Sequence, residues 1–168
     1  MGTYHSVRMR RAAFGSRGEW WVVAQFTLLP ILLLATLLLP VGVPWPPAIG
    51  WIARVLGVVI AAGAAGLFAW GIVALGRNLT PNPKPLDDGH LVRTGAYAIV
   101  RHPIYAGIIL GMLAIGLFLN NVIGLLSAII LFVFFDLKSR REERWLREKY
   151  PEYAEYCRRT RKLIPFIY

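Results

Sequence analysis

Long apolar runs, separated by shorter polar stretches, dominate this chain. The first covers residues 20–39 and contains no charge. A hydrocarbon core about 30 Å thick takes about 20 apolar residues in helical form, so this run predicts a first transmembrane helix. Trp20 and Trp21 at its start suit an interfacial aromatic belt. Pro30 in its middle predicts a kink whose freed carbonyl a neighbouring helix satisfies. The run exceeds the roughly 7–15 residues of a signal-peptide core, which argues against a cleaved leader. A Pro- and Gly-rich connector over 40–50 predicts a short turn on the outside of the membrane. The second span is expected over 51–75, where Gly57, Gly63, Ala64 and Gly66 offer small faces for close helix approach.

Two shorter apolar runs, 103–119 and 122–137, flank the pair Asn120-Asn121. Asparagines favour tight turns, so these runs predict a helical hairpin. Each lies near the lower limit for a full crossing, about 17 residues. The tail is expected to continue as a helix from Lys138 to Tyr150, with a second piece from Pro151 to Arg159. The expected fold is therefore all-α: a single polytopic membrane domain over 1–168 with four transmembrane helices and a cytoplasmic C-terminal helix.

Composition supports that reading. Hydrophobic residues make up 57% of the 168 and charged residues only 17%, against about 25% charged in a soluble domain. The net charge is +10. Eighteen of the nineteen basic residues fall in three places: the N-terminal arm, the loop between the second and third runs, and the tail. With four spans all three lie on one side, and the positive-inside rule makes that side cytoplasmic. The expected location is thus the inner membrane, with both termini in the cytoplasm. Only Arg54 stands apart, near the outer end of the second span, where it can snorkel. The basic ends suit an anionic leaflet, and no aromatic-interleaved basic stripe points to nucleic acid. One cysteine, Cys157, excludes a disulfide framework, and His5, His90 and His102 lack metal-ligand spacing. No metal is expected.

The polar chemistry gathers in two cytoplasmic stretches, 76–103 and 136–168. Arg101-His102-Pro103 stands at the start of the third span. Proline is suited to the first helical position, and the exposed N–H groups of a helix start attract anions. Gly107, one turn further on, lowers helix propensity by about 1 kcal/mol and suggests a close contact. Glu142-Glu143 follows the fourth span amid Arg140, Arg141 and Arg144. A hairpin places its two ends side by side, so Arg101-His102 should face Glu142-Glu143 at one membrane surface. A cationic pair facing an anionic pair suits a zwitterionic ligand. Trp145, Leu146, Tyr150, Tyr153 and Tyr156 form an apolar, aromatic stripe that can lie on the membrane or cover a pocket, with Cys157 packed in it. The glycosylation pattern at Asn78-Leu79-Thr80 is discounted in a cytoplasmic loop.

The segment RHPIYAG at 101–107, followed some tens of residues later by the pair Glu142-Glu143, resembles the isoprenylcysteine carboxyl methyltransferase family, itself related to phospholipid methyltransferases. The resemblance extends over roughly the last hundred residues and departs at Gly95-Ala96-Tyr97, where the family usually reads Gly-Pro-Tyr. It implies an S-adenosylmethionine-dependent O-methyltransferase acting on a lipid or lipidated carboxylate. The cofactor-binding region would span 76–168. By the same resemblance His102 with Glu142 or Glu143 holds the cofactor's methionine end, while Tyr97, Tyr105 and Gly107 shape its pocket. Arg101 would steer the acceptor's carboxylate or phosphate, with Arg101 and Glu142 as the catalytic pair. The tail also resembles that of sterol reductases, which makes an NADPH-dependent membrane oxidoreductase the rival enzyme. A membrane scaffold is the non-enzymatic alternative.

Overall fold

In a computed structural model, residues 15–168 are described; Arg8, Arg10 and Arg11 of the basic arm, and His5, lie outside them. The described chain is all-helical: α1 (Glu19–Leu38), α2 (Pro47–Leu75), α3 (Pro103–Phe118), α4 (Val122–Lys149) and α5 (Tyr153–Arg159). Among the described residues there is no β-strand, only two isolated bridges, Gly42 with Asn121 and Val100 with Arg161.

Three helices, α1, α2 and α4, are long and apolar enough to cross a membrane, while α3 is a shorter apolar helix. Its 16 residues rise about 24 Å at 1.5 Å each, short of a hydrocarbon core of about 30 Å. The second helix begins at Pro47, four residues before the expected start, because proline with its fixed φ opens a helix readily. The span expected over 122–137 and the tail helix expected beyond it form one uninterrupted α4.

Packing runs in the order α2–α3–α4–α1. The α2–α3 seam is built from small residues. Gly50, Gly57, Ala64 and Gly71 are all buried on α2 and recur every seven residues, the repeat that keeps one face of a helix against its partner. A Cβ on Gly57 would meet the Ala114 carbonyl oxygen at 2.9 Å, and one on Gly107 would meet the Phe68 Cβ at 2.7 Å. Gly63 and Gly66, expected to share this role, have open space around them. Register decides the matter, since neither falls on the seven-residue repeat. With no water to release between helices in lipid, such close backbone approach supplies much of the association energy. The outward faces of α1 and α2 carry exposed Leu, Ile, Val and Trp side chains, an apolar area far larger than a water-facing monomer presents.

Asn121 closes the far end of the bundle. Its side chain caps α4 by accepting from the Ile123 N–H at 2.8 Å. It also donates to the Thr36 and Leu39 carbonyls at 2.7 and 3.0 Å, satisfying two groups left over at the end of α1. Asn120 adopts φ +50°, which turns the chain between α3 and α4. The backbone of the α1–α2 connector bonds to the same turn through Val41 and Val43.

Candidate functional site

The site forms where α3 starts and α4 leaves the apolar core. Residues 99–102 run beside the segment after α5: the Arg101 N–H donates to the Arg161 carbonyl at 2.8 Å and the His102 N–H to the Lys162 carbonyl at 3.2 Å. His102 is the N-cap of α3 and Pro103 its first residue. The C-terminal segment thereby sets the height and direction at which Arg101 and His102 project. It is anchored in turn by Lys162 and Tyr168, both bonded to Asp136 of α4.

Glu142 and Glu143 lie on neighbouring faces of α4 and take different partners. Glu143 turns inward: its Oε1 accepts from Arg101 Nε at 2.8 Å and lies 3.1 Å from His102 Nε2. Arg101 Nη1 donates to the Cys157 and Thr160 carbonyls at 3.2 and 2.5 Å. Burial works against the charge of Arg101, but the Glu143 hydrogen bond and carboxylate lift its pKa above the ordinary value. The carboxylate that meets Arg101 and His102 at this helix start is thus one of the chain's own. Glu142 turns the other way, accepts from the Tyr105 hydroxyl at 2.9 Å and sits 3.9 Å from His102 Nδ1. The Tyr105 ring is stacked between His102, at a centroid distance of 5.4 Å, and Phe135, at 4.6 Å.

A cavity of about 630 Å³ opens beside this cluster, within the range of small-molecule and cofactor sites, about 300–1,000 Å³. Tyr97, Arg101, His102, Tyr105 and Glu142 line it. Glu143 and Gly107 do not. Gly107 faces Ala64 and Phe68 of α2, so its small size serves helix packing. Residues 78–92 pass over the cavity and are tied to the end of α4, where Lys149 donates to the Leu86 and Asp87 carbonyls and the Tyr150 hydroxyl to the Gly89 carbonyl.

Two polar lining residues, Lys138 and Gln25, are not marked as site residues by the sequence pattern. In the sequence Lys138 is one of ten basic residues of the tail, yet it stands one helical turn before Glu142 on the same face of α4. Gln25 reaches the cavity from α1, and a lone amide in an apolar run was the available signal. Tyr153 belongs to the aromatic stripe expected to lie on the membrane or cover a pocket, and it lines the cavity together with Leu146, Tyr150 and Tyr156. The Tyr153 hydroxyl is buried and has no oxygen or nitrogen hydrogen-bond partner among the described residues; the Cys157 thiol is its neighbour. Burial holds the phenols of Tyr97, Tyr153 and Tyr156 above their usual pKa, with the charge of Glu142 next for Tyr97, so all three remain neutral donors. The Tyr156 hydroxyl uses its proton on the Tyr97 carbonyl at 2.6 Å. Burial also pushes the Cys157 thiol up, away from a reactive thiolate. Among the described residues, no group of three or more His, Cys, Asp or Glu is placed to hold a metal ion.

The chain is 31% identical over 100 residues to protein-S-isoprenylcysteine O-methyltransferase B of Arabidopsis thaliana, an overlap covering 57% of this chain and 51% of that one. It is 38% identical over 86 residues to protein-S-isoprenylcysteine O-methyltransferase of Saccharomyces cerevisiae, covering 50% and 36%. It is also 34% identical over 76 residues to a cobalt-zinc-cadmium resistance protein of Cupriavidus metallidurans, covering 45% and 35%. The chain therefore spans between about a third and a half of the length of these relatives. The family model described as phospholipid methyltransferase matches residues 52–153, well over half of the chain and most of the cavity wall. On that match, and with protein-S-isoprenylcysteine O-methyltransferases among its relatives, the chain belongs to the phospholipid methyltransferase family.

Proposed function

We propose that the protein is an S-adenosylmethionine-dependent O-methyltransferase whose acceptor is a lipid or lipidated carboxylate at the cytoplasmic membrane face. One observation carries this reading: a single cavity, largely within the family-matched segment, has Glu142, His102 and Tyr105 at a polar end and helix side chains such as Phe26, Leu29 and Phe68 elsewhere. A charged donor and a greasy acceptor need such a mixed site.

The residues present fit the donor. Glu142 offers a carboxylate to an ammonium group, and its Tyr105 and His102 neighbours hold it in place. Tyr153, whose hydroxyl is buried, lines the same cavity. Tyr97 and Tyr105 line the same cavity as Glu142. When bound, the cofactor supplies an electrophilic methyl group on sulfonium sulfur. The chain's part is to orient both partners and exclude water, and well-oriented reactants gain about 7–11 kcal/mol in barrier from proximity. A carboxylate acceptor needs no general base. Arg101 and Glu143 brace the site from behind, Arg101 from the cavity wall and Glu143 from outside it, positioning His102. The membrane placement proposed with this function has four crossings, α3 being the short one, and both termini cytoplasmic, as the basic residues favour.

The test is binding of S-adenosylhomocysteine to the purified protein in detergent, set against NADPH. Submillimolar affinity for the sulfur nucleoside, weakened by Glu142→Gln, is expected; NADPH binding in its place overturns the reading.

A further inference from the structure

Among the described residues, the direct partners of the buried cation Lys138 are all neutral. Lys138 is 1% exposed. Its Nζ donates to Gln25 Oε1 at 2.5 Å and to the Pro81 carbonyl at 3.2 Å, and stands 5.1 Å from the centre of the Tyr105 ring. The carboxylates of the neighbourhood are engaged elsewhere: Asp136 with Arg140 and Lys162, Glu143 with Arg101 and His102. Glu142, one turn along α4, contributes to the field at Lys138 but forms no ion pair with it. A buried charge is costly unless it is paired. Lys138, Gln25 and Pro81 all line the cavity, so a ligand there can reach the ammonium.

We propose that Lys138, held in place by Gln25, is the anchor for the anionic head group of the methyl acceptor, a single-tailed amphiphile ending in a carboxylate or a phosphate monoester. This rests on the methyltransferase reading and moves the acceptor-steering role from Arg101, whose Nε and Nη1 are engaged by Glu143 and two carbonyls, to Lys138. Lys138 and Glu142 are four positions apart, about 6 Å along the helix, which sets acceptor anion and donor side by side. Phe26 and Leu29 of α1 and Phe68 and Ile72 of α2 supply an apolar wall for the tail.

The chemistry gives this anchor a second consequence. An acceptor carboxylate oxygen forms a bond to the sulfonium methyl carbon as the carbon–sulfur bond breaks. That bond's electron pair stays on sulfur, and no proton moves. The products are a neutral methyl ester and a neutral thioether. With a carboxylate acceptor Lys138 loses its counter-ion at the moment of transfer, so the site prefers acid over ester and releases its product. A phosphate monoester would keep one negative charge as its methyl diester.

The experiment measures binding of S-farnesylthiopropionic acid, its methyl ester and farnesyl monophosphate to the full chain in detergent, beside S-adenosylhomocysteine. In the wild type the acid should bind at least about tenfold more tightly than the ester, a preference that one charge-assisted contact supplies. Lys138→Gln should erase the preference and Lys138→Arg should keep it. Tighter binding of the acid or of the monophosphate identifies the head group. Equal binding of acid and ester by the wild type, or a preference that survives Lys138→Gln, overturns the proposal. The wild-type comparison decides even if a variant fails to fold. Loss of S-adenosylhomocysteine binding in the wild type sinks the methyltransferase reading by itself, and the acid–ester ratio then still decides whether Lys138 is an anion anchor.

Discussion

Arg101 and Lys138 are both basic and both at the wall of one cavity, Arg101 half-buried and Lys138 fully buried, yet their surroundings differ in kind. Arg101 meets Glu143 and two backbone carbonyls, while Lys138 meets an amide, a carbonyl and an aromatic face. The first arrangement is neutralised from within and joins α3, α4 and the C-terminal segment. The second leaves a positive charge for something else to balance. A basic residue's place in the sequence does not separate these two cases; its counter-ion does.

The sharpest way to break the contrast is Glu143→Ala, which strands Arg101 beside His102 without their carboxylate. Removing one partner of a buried pair costs about 3–5 kcal/mol, so unfolding in detergent should shift strongly toward instability. An unchanged unfolding curve would show that the cluster is not a brace. Gly107→Leu comes next. It should cost about 1–3 kcal/mol by overpacking the α2–α3 seam, and S-adenosylhomocysteine affinity should fall no further than the lost stability explains. A selective loss of affinity would instead return Gly107 to the cavity.

Glu142→Gln separates the two glutamates. Stability should change little, while S-adenosylhomocysteine should bind at least about tenfold more weakly, the loss expected when a charge-assisted contact goes. If titration gives the larger loss for Glu143→Gln, the assignment of the pair is reversed. Smallest is Tyr153→Phe: removing a hydroxyl with no oxygen or nitrogen partner among the described residues should leave stability within about 0.5 kcal/mol, and donor-product affinity should fall only a few-fold. A marked destabilisation would mean that the hydroxyl has such a partner in the folded protein.

Helix type and approximate place were readable because burial in lipid demands continuous apolar runs, and those survive in a single sequence as length alone. Asn120-Asn121 carried the hairpin through the same logic, since a turn residue acts locally. The RHPIYAG segment and the Glu142-Glu143 pair were equally visible as motifs. Small residues on α2 were visible too, but which of them met a neighbour was not. The seven-residue repeat through Gly50, Gly57, Ala64 and Gly71 becomes meaningful only once α3 lies against it.

What the sequence alone determined is therefore an all-helical membrane chain with its charges at the helix ends and one motif-bearing hairpin. Those features depend on local composition and on solvent, both of which act residue by residue. Only the tertiary structure decided how the charges divide. Glu143 faces inward to Arg101 and His102, Glu142 faces the cavity, and Lys138 sits between Gln25 of α1 and the Pro81 carbonyl. The reason is physical: a charge buried in a low-dielectric interior is defined by its nearest partners, and here those partners lie up to 113 positions away along the chain.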